Sequence, residues 1–220
     1  IRRETFASIY ASTQGGLVVP DLYALANSVS SVPTPIEQDT EKEVYGVFAN
    51  ANLGFKNMLY LDLSARNDIS SALPVENNSY FYHSEALSFV FSEVVDLDFL
   101  DFGKVRVNYA EVGNDTGPQR TTTAYTKIDP AGNAVLFSYP TTVNNANLLP
   151  EQLISYEAGL ELAALKKRLT LDFAVYKTLS EDQIVRVELS KSTGASFKWL
   201  NGGEIENKGV EVTLGYDIFK

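Results

Sequence analysis

The chain has 220 residues, with 28 acidic and 18 basic side chains and a net charge of −10. No Lys/Arg cluster makes a basic face, which argues against nucleic acid as a partner. There is no cysteine, and so no disulfide framework, thiolate metal site or cysteine nucleophile. No apolar run approaches the roughly 18–20 residues of a membrane-spanning helix, but a barrel stays open because its strands alternate.

In chain order, Ile1-Arg2-Arg3-Glu4-Thr5-Phe6 shows no secretory apolar region, so any export signal is expected to have been removed or to lie upstream. Thr5 to Ala11 reads as a first strand. Ser12 to Thr40 is a long connection containing Val32-Pro33-Thr34-Pro35, where proline lacks a backbone donor. Tyr45 to Ala51 alternates, and a tight turn is expected over Asn52 to Lys56. Leu59 to Arg66 is the cleanest strand, with Leu59, Leu61, Leu63 and Ala65 on one face and Tyr60, Asp62, Ser64 and Arg66 on the other.

A long piece, Asn67 to Ser79, precedes Phe81 to Phe91. There Leu87, Phe89 and Phe91 oppose Ala86, Ser88 and Val90. After a compact connection over Glu93 to Gly103, Lys104 to Tyr109 alternates again. The longest connection, Gly113 to Pro150, holds the turn formers Asn114-Asp115-Thr116-Gly117-Pro118. Ile154 to Glu161 and Leu169 to Tyr176 flank a tight turn at Ala164 to Arg168. Thr178 to Glu206 is a further long piece, with Asn201-Gly202-Gly203 in it, and Val210 to Tyr216 is the eighth strand.

Strict alternation suits a β-sandwich and a barrel alike. Two features favour the barrel. Connections alternate between short and long, as in outer-membrane barrels whose long loops face outside. Tyrosine and phenylalanine number 12 each, and strands that meet both lipid and water favour aromatics. The turns near Gly54, Asp98 and Lys166 are then expected at the periplasmic side, and the four long connections outside.

Several ordered segments resemble the SusC/RagA-like TonB-linked outer-membrane proteins, the TonB-dependent receptors. Arg66-Asn67-Asp68-Ile69-Ser70-Ser71 is similar to that family's R-x-D-x-S-S segment, and Asn77 to Ser88 to its returning strand, with His83 at the usual proline. Lys104-Val105-Arg106-Val107-Asn108-Tyr109 through Gly113-Asn114 resembles a third block. Asn147 to Glu161 resembles a fourth, departing at Leu149, Pro150 and Gln152. Asn207-Lys208-Gly209-Val210-Glu211 resembles the start of a late strand, and Gly15-Gly16-Leu17-Val18-Val19-Pro20 and Leu25-Ala26-Asn27-Ser28 fit a subset of the family.

The resemblance implies an all-β fold of antiparallel up-and-down strands, with residues 1–220 forming part of a transmembrane β-barrel of about 22 strands. It implies the bacterial outer membrane and the later part of a longer chain, with plug domain and TonB-contacting segment outside this sequence. The implied function is TonB-dependent import of oligosaccharides or peptides with a SusD-like surface lipoprotein. TonB, that lipoprotein, the cargo and outer-membrane lipid are the implied partners. The rival reading is a secreted or surface all-β ligand-binding module of adhesin type. A complete eight-stranded barrel is disfavoured because Tyr216-Asp217-Ile218-Phe219-Lys220 reads as a continuing strand.

No catalytic, cofactor or metal residue is expected, and the chain reads as no enzyme. Asp96-Leu97-Asp98-Phe99-Leu100-Asp101 lacks the glycine and final glutamate of a calcium loop, and reads as a turn in which Leu97, Phe99 and Leu100 pack. His83-Ser84-Glu85 has no cysteine pair for zinc, and no second histidine completes a hydrolytic triad. Asp62, Arg66, Arg106, Asn108, Glu157, Glu161, Asp172 and Glu211 are expected on the polar face, hydrating a lumen, pairing across strands or holding a plug. Tyr10, Tyr23, Tyr60, Tyr80, Tyr82, Tyr125 and Tyr139 read as girdle or loop-packing aromatics, with sugar stacking as the alternative.

Overall fold

The computed structural model describes residues 1–218 and divides into two compact units, residues 1–43 and 44–220. In the first, β1 (Arg2–Tyr10) lies beside the opening part of β4 (Ile36–Phe55), where Arg3 pairs with Glu41 and Glu43. Between them β2 (Gln14–Leu17) and β3 (Ser28–Ser30) pair antiparallel. The buried Asn27 side chain holds this connection, donating to the carbonyls of Val19 and Leu22 and accepting from the Val19 amide.

In the second unit, antiparallel strands follow in the order β4, β5 (Leu59–Ser70), β6 (Ser79–Val90) and β7 (Leu100–Asn114). A hairpin, β8 (Thr126–Ala131) and β9 (Ala134–Ser138), and the short β10 (Thr142–Val143) come next in the chain. The main sheet resumes with β11 (Glu151–Ala164) on β7 and β12 (Leu169–Glu181) on β11. It ends with β15 (Ile205–Tyr216) on β12. All eight stretches of alternation are strands of this sheet, most of them longer than the alternation alone marks.

The short connections hold two differences from expectation. The turn expected over Asn52 to Lys56 lies at Lys56 and Asn57, both left-handed (φ 50° and 54°), with the Met58 amide donating to the Phe55 carbonyl at 3.0 Å. This is a type I′ turn, whose twist matches that of the flanking strands. Gly54 stays in the ladder opposite Tyr60, where a side chain would meet the tyrosine ring. In the other hairpin Leu165, Lys166 and Lys167 are all left-handed. Asp101 Oδ2 accepts the Lys167 amide at 2.8 Å, and the Leu165 amide donates to the Phe99 carbonyl. Asp101 is thus an anchor between neighbouring turns. Phe99, expected to pack, is 62% exposed and Leu97 is 38% exposed. Phe91, expected beside Leu87 and Phe89, begins a 3-10 turn and lays its ring over Gly103.

The long connections are more regular than expected. Residues 182–204 contain β13 (Ile184–Glu188) and β14 (Phe197–Asn201), and β14 also pairs in parallel with β10. The connections after β7 and β12 therefore share one three-stranded sheet. The apolar core lies largely beneath these connections: Ala72, Leu73, Leu148 and Ala195 are buried, Leu148 completely. Within the strands both faces are largely open, with Val47, Leu53, Val210, Val212 and Leu214 all more than half exposed. The expected continuation beyond Tyr216 is not a strand at Asp217, whose amide bonds the Arg168 carbonyl, and Phe219 and Lys220 lie outside the described residues.

Candidate functional site

Strand registers decide which side chains share a face, because facing residues of paired strands project alike. Across β5, β6, β7, β11, β12 and β15, one row runs Asp62, Ala86, Asn108, Glu157, Tyr176, Gly209. Neighbouring rows carry Arg106, Gly159, Ala174 and Glu211, and Lys104, Glu161, Asp172 and Thr213. Arg66 stands opposite Tyr82 further along the same face. All eight residues expected on the polar face therefore share it.

Arg106 is the centre of that face. Its Nε donates to Glu157 Oε1 at 3.2 Å, Nη1 to Glu161 Oε1 at 2.6 Å, and Nη2 to Asp172 Oδ1 at 3.2 Å. Lys104 reaches the same Glu161 oxygen at 3.1 Å. The guanidinium lies flat over Gly159, where a methyl would meet Nε and Cζ at 2.6 and 2.5 Å. The glycine is needed here for that close approach. One cation thus ties β7, β11 and β12 together. Asp62 accepts from Asn52, so it also pairs across strands.

A second cluster lies at the opposite end of the strands from the short turns. Arg66 Nε donates to both Asp68 oxygens at 2.8 and 3.0 Å, and the Tyr82 hydroxyl donates to Asp68 Oδ2 at 2.8 Å. Ser70 is fully buried and donates to Asp115 Oδ2 at 2.5 Å, tying the end of β5 to the connection after β7. Tyr80 lies at the start of β6. Its ring stacks on Tyr82 with centroids 6.1 Å apart and sits against Gly113.

Beyond this rim the connections interlock. Asn201 accepts from the Leu149 amide at 2.8 Å and donates to the carbonyls of Leu149 and Asp182. Glu151 accepts from the Ile184 amide, and Asn77 donates to the Leu148 carbonyl. The Arg120 guanidinium stacks 3.9 Å from the Trp199 ring centre. None of these residues stands out by spacing. Each matters only through partners 19 to 79 positions away in the chain, and the only signal was an alternating, β-branched Ile184-Val185-Arg186-Val187-Glu188.

The remaining tyrosines divide. Tyr60 shares the face of Asp62 and is not a girdle residue on the apolar side. Tyr125 and Tyr139 pair edge to face, 6.0 Å apart, at the base of the β8–β9 hairpin. Tyr10 and Tyr23 are exposed in the first unit. His83 lies on the opposite, largely apolar face, with Nδ1 2.7 Å from Glu85 Oε1 and its ring between Phe81 and Tyr109.

A continuous antiparallel sheet with one apolar and one ion-paired face, short turns at one end and interlocked long connections at the other, defines an outer-membrane barrel wall. Its polar face lines the lumen and its apolar face meets lipid. The family model described as "TonB dependent receptor-like, beta-barrel" matches residues 5–220, and the chain belongs to that family, which resides in the bacterial outer membrane. The TonB-dependent receptors P3 and P26 of Formosa agariphila are each 28% identical to it, over 79% and 78% of this chain. The chain spans only 18% of the length of each. A chain of the RagAB peptide importer in its closed-closed state shares the fold with a TM-score of 0.86 at 24% identity, covering 99% of this chain and 24% of that one. The siderophore receptor PirA from Pseudomonas aeruginosa gives 0.56 at 16% identity, over 80% of this chain and 31% of its own.

Proposed function

We infer that this chain forms about eight strands in the later part of a SusC/RagA-like barrel, within a TonB-dependent importer of oligosaccharides or peptides. A SusD-like lipoprotein on the outer surface is its partner, and inner-membrane energy arrives through TonB. The observation that carries this reading is the likeness to the RagAB importer chain over nearly the whole of this chain, together with the ordered segments from Arg66 to Glu211. The chemistry is passage, without bond-making. The Arg106 cluster keeps the lumen face hydrated and firm, and the interlocked outer connections present a shaped surface to cargo and lipoprotein.

The test is uptake by cells carrying the full-length protein. Labelled oligosaccharides and peptides of several lengths are supplied with TonB intact or deleted, and with the neighbouring lipoprotein intact or deleted. Accumulation that falls on both deletions supports the reading. Uptake of neither class, or uptake indifferent to TonB, refutes it. The adhesin-like alternative predicts surface binding without accumulation.

A further inference from the structure

The lumen face changes above the Arg106 cluster. The row over Asn108 and Glu157 is uncharged, with Ala110, Ser155, Thr178 and Asn207 standing in register. In the next row Val112, Leu153 and Ser180 are successive partners, and beyond them Asn114 faces Glu151 at the outer end of the strands. Against these upper rows lies a pocket of about 240 Å³, which Gln152 and Gln183 also line. A second pocket, of about 230 Å³, adjoins it across Glu151 and Gln152, the two residues that line both. Tyr80, Tyr82, Pro150 and Asp182 are among its walls. Each pocket has room for one six-membered sugar ring.

The chemistry of the walls narrows the ligand. Glu151 is held at both oxygens, by the Ile184 amide and the Asn114 side chain, each at 2.8 Å. The side chains of Gln152, Ser180, Asp182 and Gln183 make no hydrogen bond among the described residues. Glu151, Glu181 and Asp182 line the two pockets and no lysine or arginine does, which disfavours an anionic ligand. A cation would ask only for acceptors and leave the amide donors of Gln152 and Gln183 unanswered. Gly113, Gln152 and Glu181 are paired in register, so an extended peptide finds no free strand edge among them. A sugar hydroxyl both donates and accepts, and side-chain amides and hydroxyls answer in both senses. Val112, Leu153 and the tyrosine rings offer apolar surface to the C–H faces of such a ring.

We propose that these adjoining pockets bind two consecutive rings of an uncharged oligosaccharide at the mouth of the lumen. Gln152 stands at the junction between the rings, Ser180 and Gln183 address one of them, and Tyr80 and Tyr82 wall the other. The inference rests on the importer reading above and narrows its cargo to a neutral glycan. The uncharged row beneath the pockets gives such a cargo a path that meets no ion before the Arg106 cluster.

The test is isothermal titration calorimetry of the full-length protein in detergent, without TonB or the lipoprotein. The probes are neutral hexasaccharides of α-1,4-glucan, β-1,3-glucan, β-1,4-mannan and β-1,4-galactan, each beside its form oxidised to uronate at C6. A hexapeptide of alternating lysine and glycine is the cationic control. We expect at least one neutral hexasaccharide to bind, with its oxidised form weaker by about tenfold or more. Gln152→Leu and Ser180→Phe should each weaken binding about tenfold or more, the first by removing an amide and the second by filling one pocket. Glu181→Gln/Asp182→Asn should narrow the gap between the neutral and oxidised forms. Folding is checked by heat-modifiable migration, and Ser180→Leu replaces the phenylalanine variant if that one does not fold. No binding of any neutral hexasaccharide overturns the proposal, as do equal affinity for the oxidised form, tighter binding of the lysine peptide, and binding unchanged in both single variants. Glycan binding with uptake indifferent to TonB sinks the importer reading alone, whereas TonB-dependent uptake without glycan binding sinks this inference alone.

Discussion

Replacing Arg106 by methionine removes one guanidinium and leaves Glu157 and Glu161 of β11 and Asp172 of β12 facing one another without their shared cation. The arginine side chain is 19% exposed, whereas the three carboxylates are 31–51% exposed. Water therefore screens each pair, and a value of about 0.2–1 kcal/mol per pair is appropriate, well below the 3–5 kcal/mol of a fully buried ion pair. Three pairs together predict a loss of about 1–3 kcal/mol. Like-charge repulsion among the abandoned carboxylates belongs to that loss, so adding Glu161→Gln to Arg106→Met should restore part of it. Lys104 also contacts Glu161, which limits the restoration. The assay is equilibrium unfolding of the full-length protein in lipid vesicles by guanidinium, followed by tyrosine fluorescence. Because the pairs are partly exposed, the difference between wild type and variant should shrink as sodium chloride rises from 50 to 500 mM. A single variant within about 0.3 kcal/mol of wild type at low salt, well below the roughly 1–3 kcal/mol expected of three pairs together, refutes the assignment of Arg106 as the tie between these strands.

Further outcomes follow from the turns and outer connections. Lys166→Gly should stabilise by about 0.5–1 kcal/mol, because three successive non-glycine residues there are left-handed; thermal unfolding checks it. Asp101→Ala should cost about 1 kcal/mol by leaving the Lys167 amide without its acceptor, read in the same experiment. Leu148→Ala empties the one fully buried apolar site among the described residues and should cost the local fold about 2–5 kcal/mol, seen as faster hydrogen exchange over residues 141–150 with the strands unchanged. Arg120→Ala removes the cation over the chain's one tryptophan, Trp199; its emission should shift to the red, with exchange protection lost in β14. Unchanged emission would mean that the pair is not formed in solution.

Much of the wall was legible in the sequence because a strand writes its two environments into every second residue. Leu59 to Arg66 and Leu169 to Tyr176 show both faces without any partner in view, and the eight polar residues assigned to one face do share it. Turn positions were less legible. Gly54 looked like a bend and is a strand residue paired with Tyr60, since a glycine reads the same in a bend and in a ladder. The outer connections were least legible. Asn201, Glu151, Ser70 and Trp199 act through partners far away in the chain, and no local pattern encodes such a pairing.

Period-two alternation and the spacing of long and short connections were enough to determine an up-and-down barrel wall and its outer end, because lipid and water sort side chains residue by residue. Register across strands was decided only by the tertiary structure. It alone brings Arg106 onto Gly159 among three carboxylates, locks residues 141–150 to β14, and sets Leu153 between Val112 and Ser180. The physical reason is that each of these contacts is a sum over distant pairs, fixed only when every hydrogen-bonded ladder has closed.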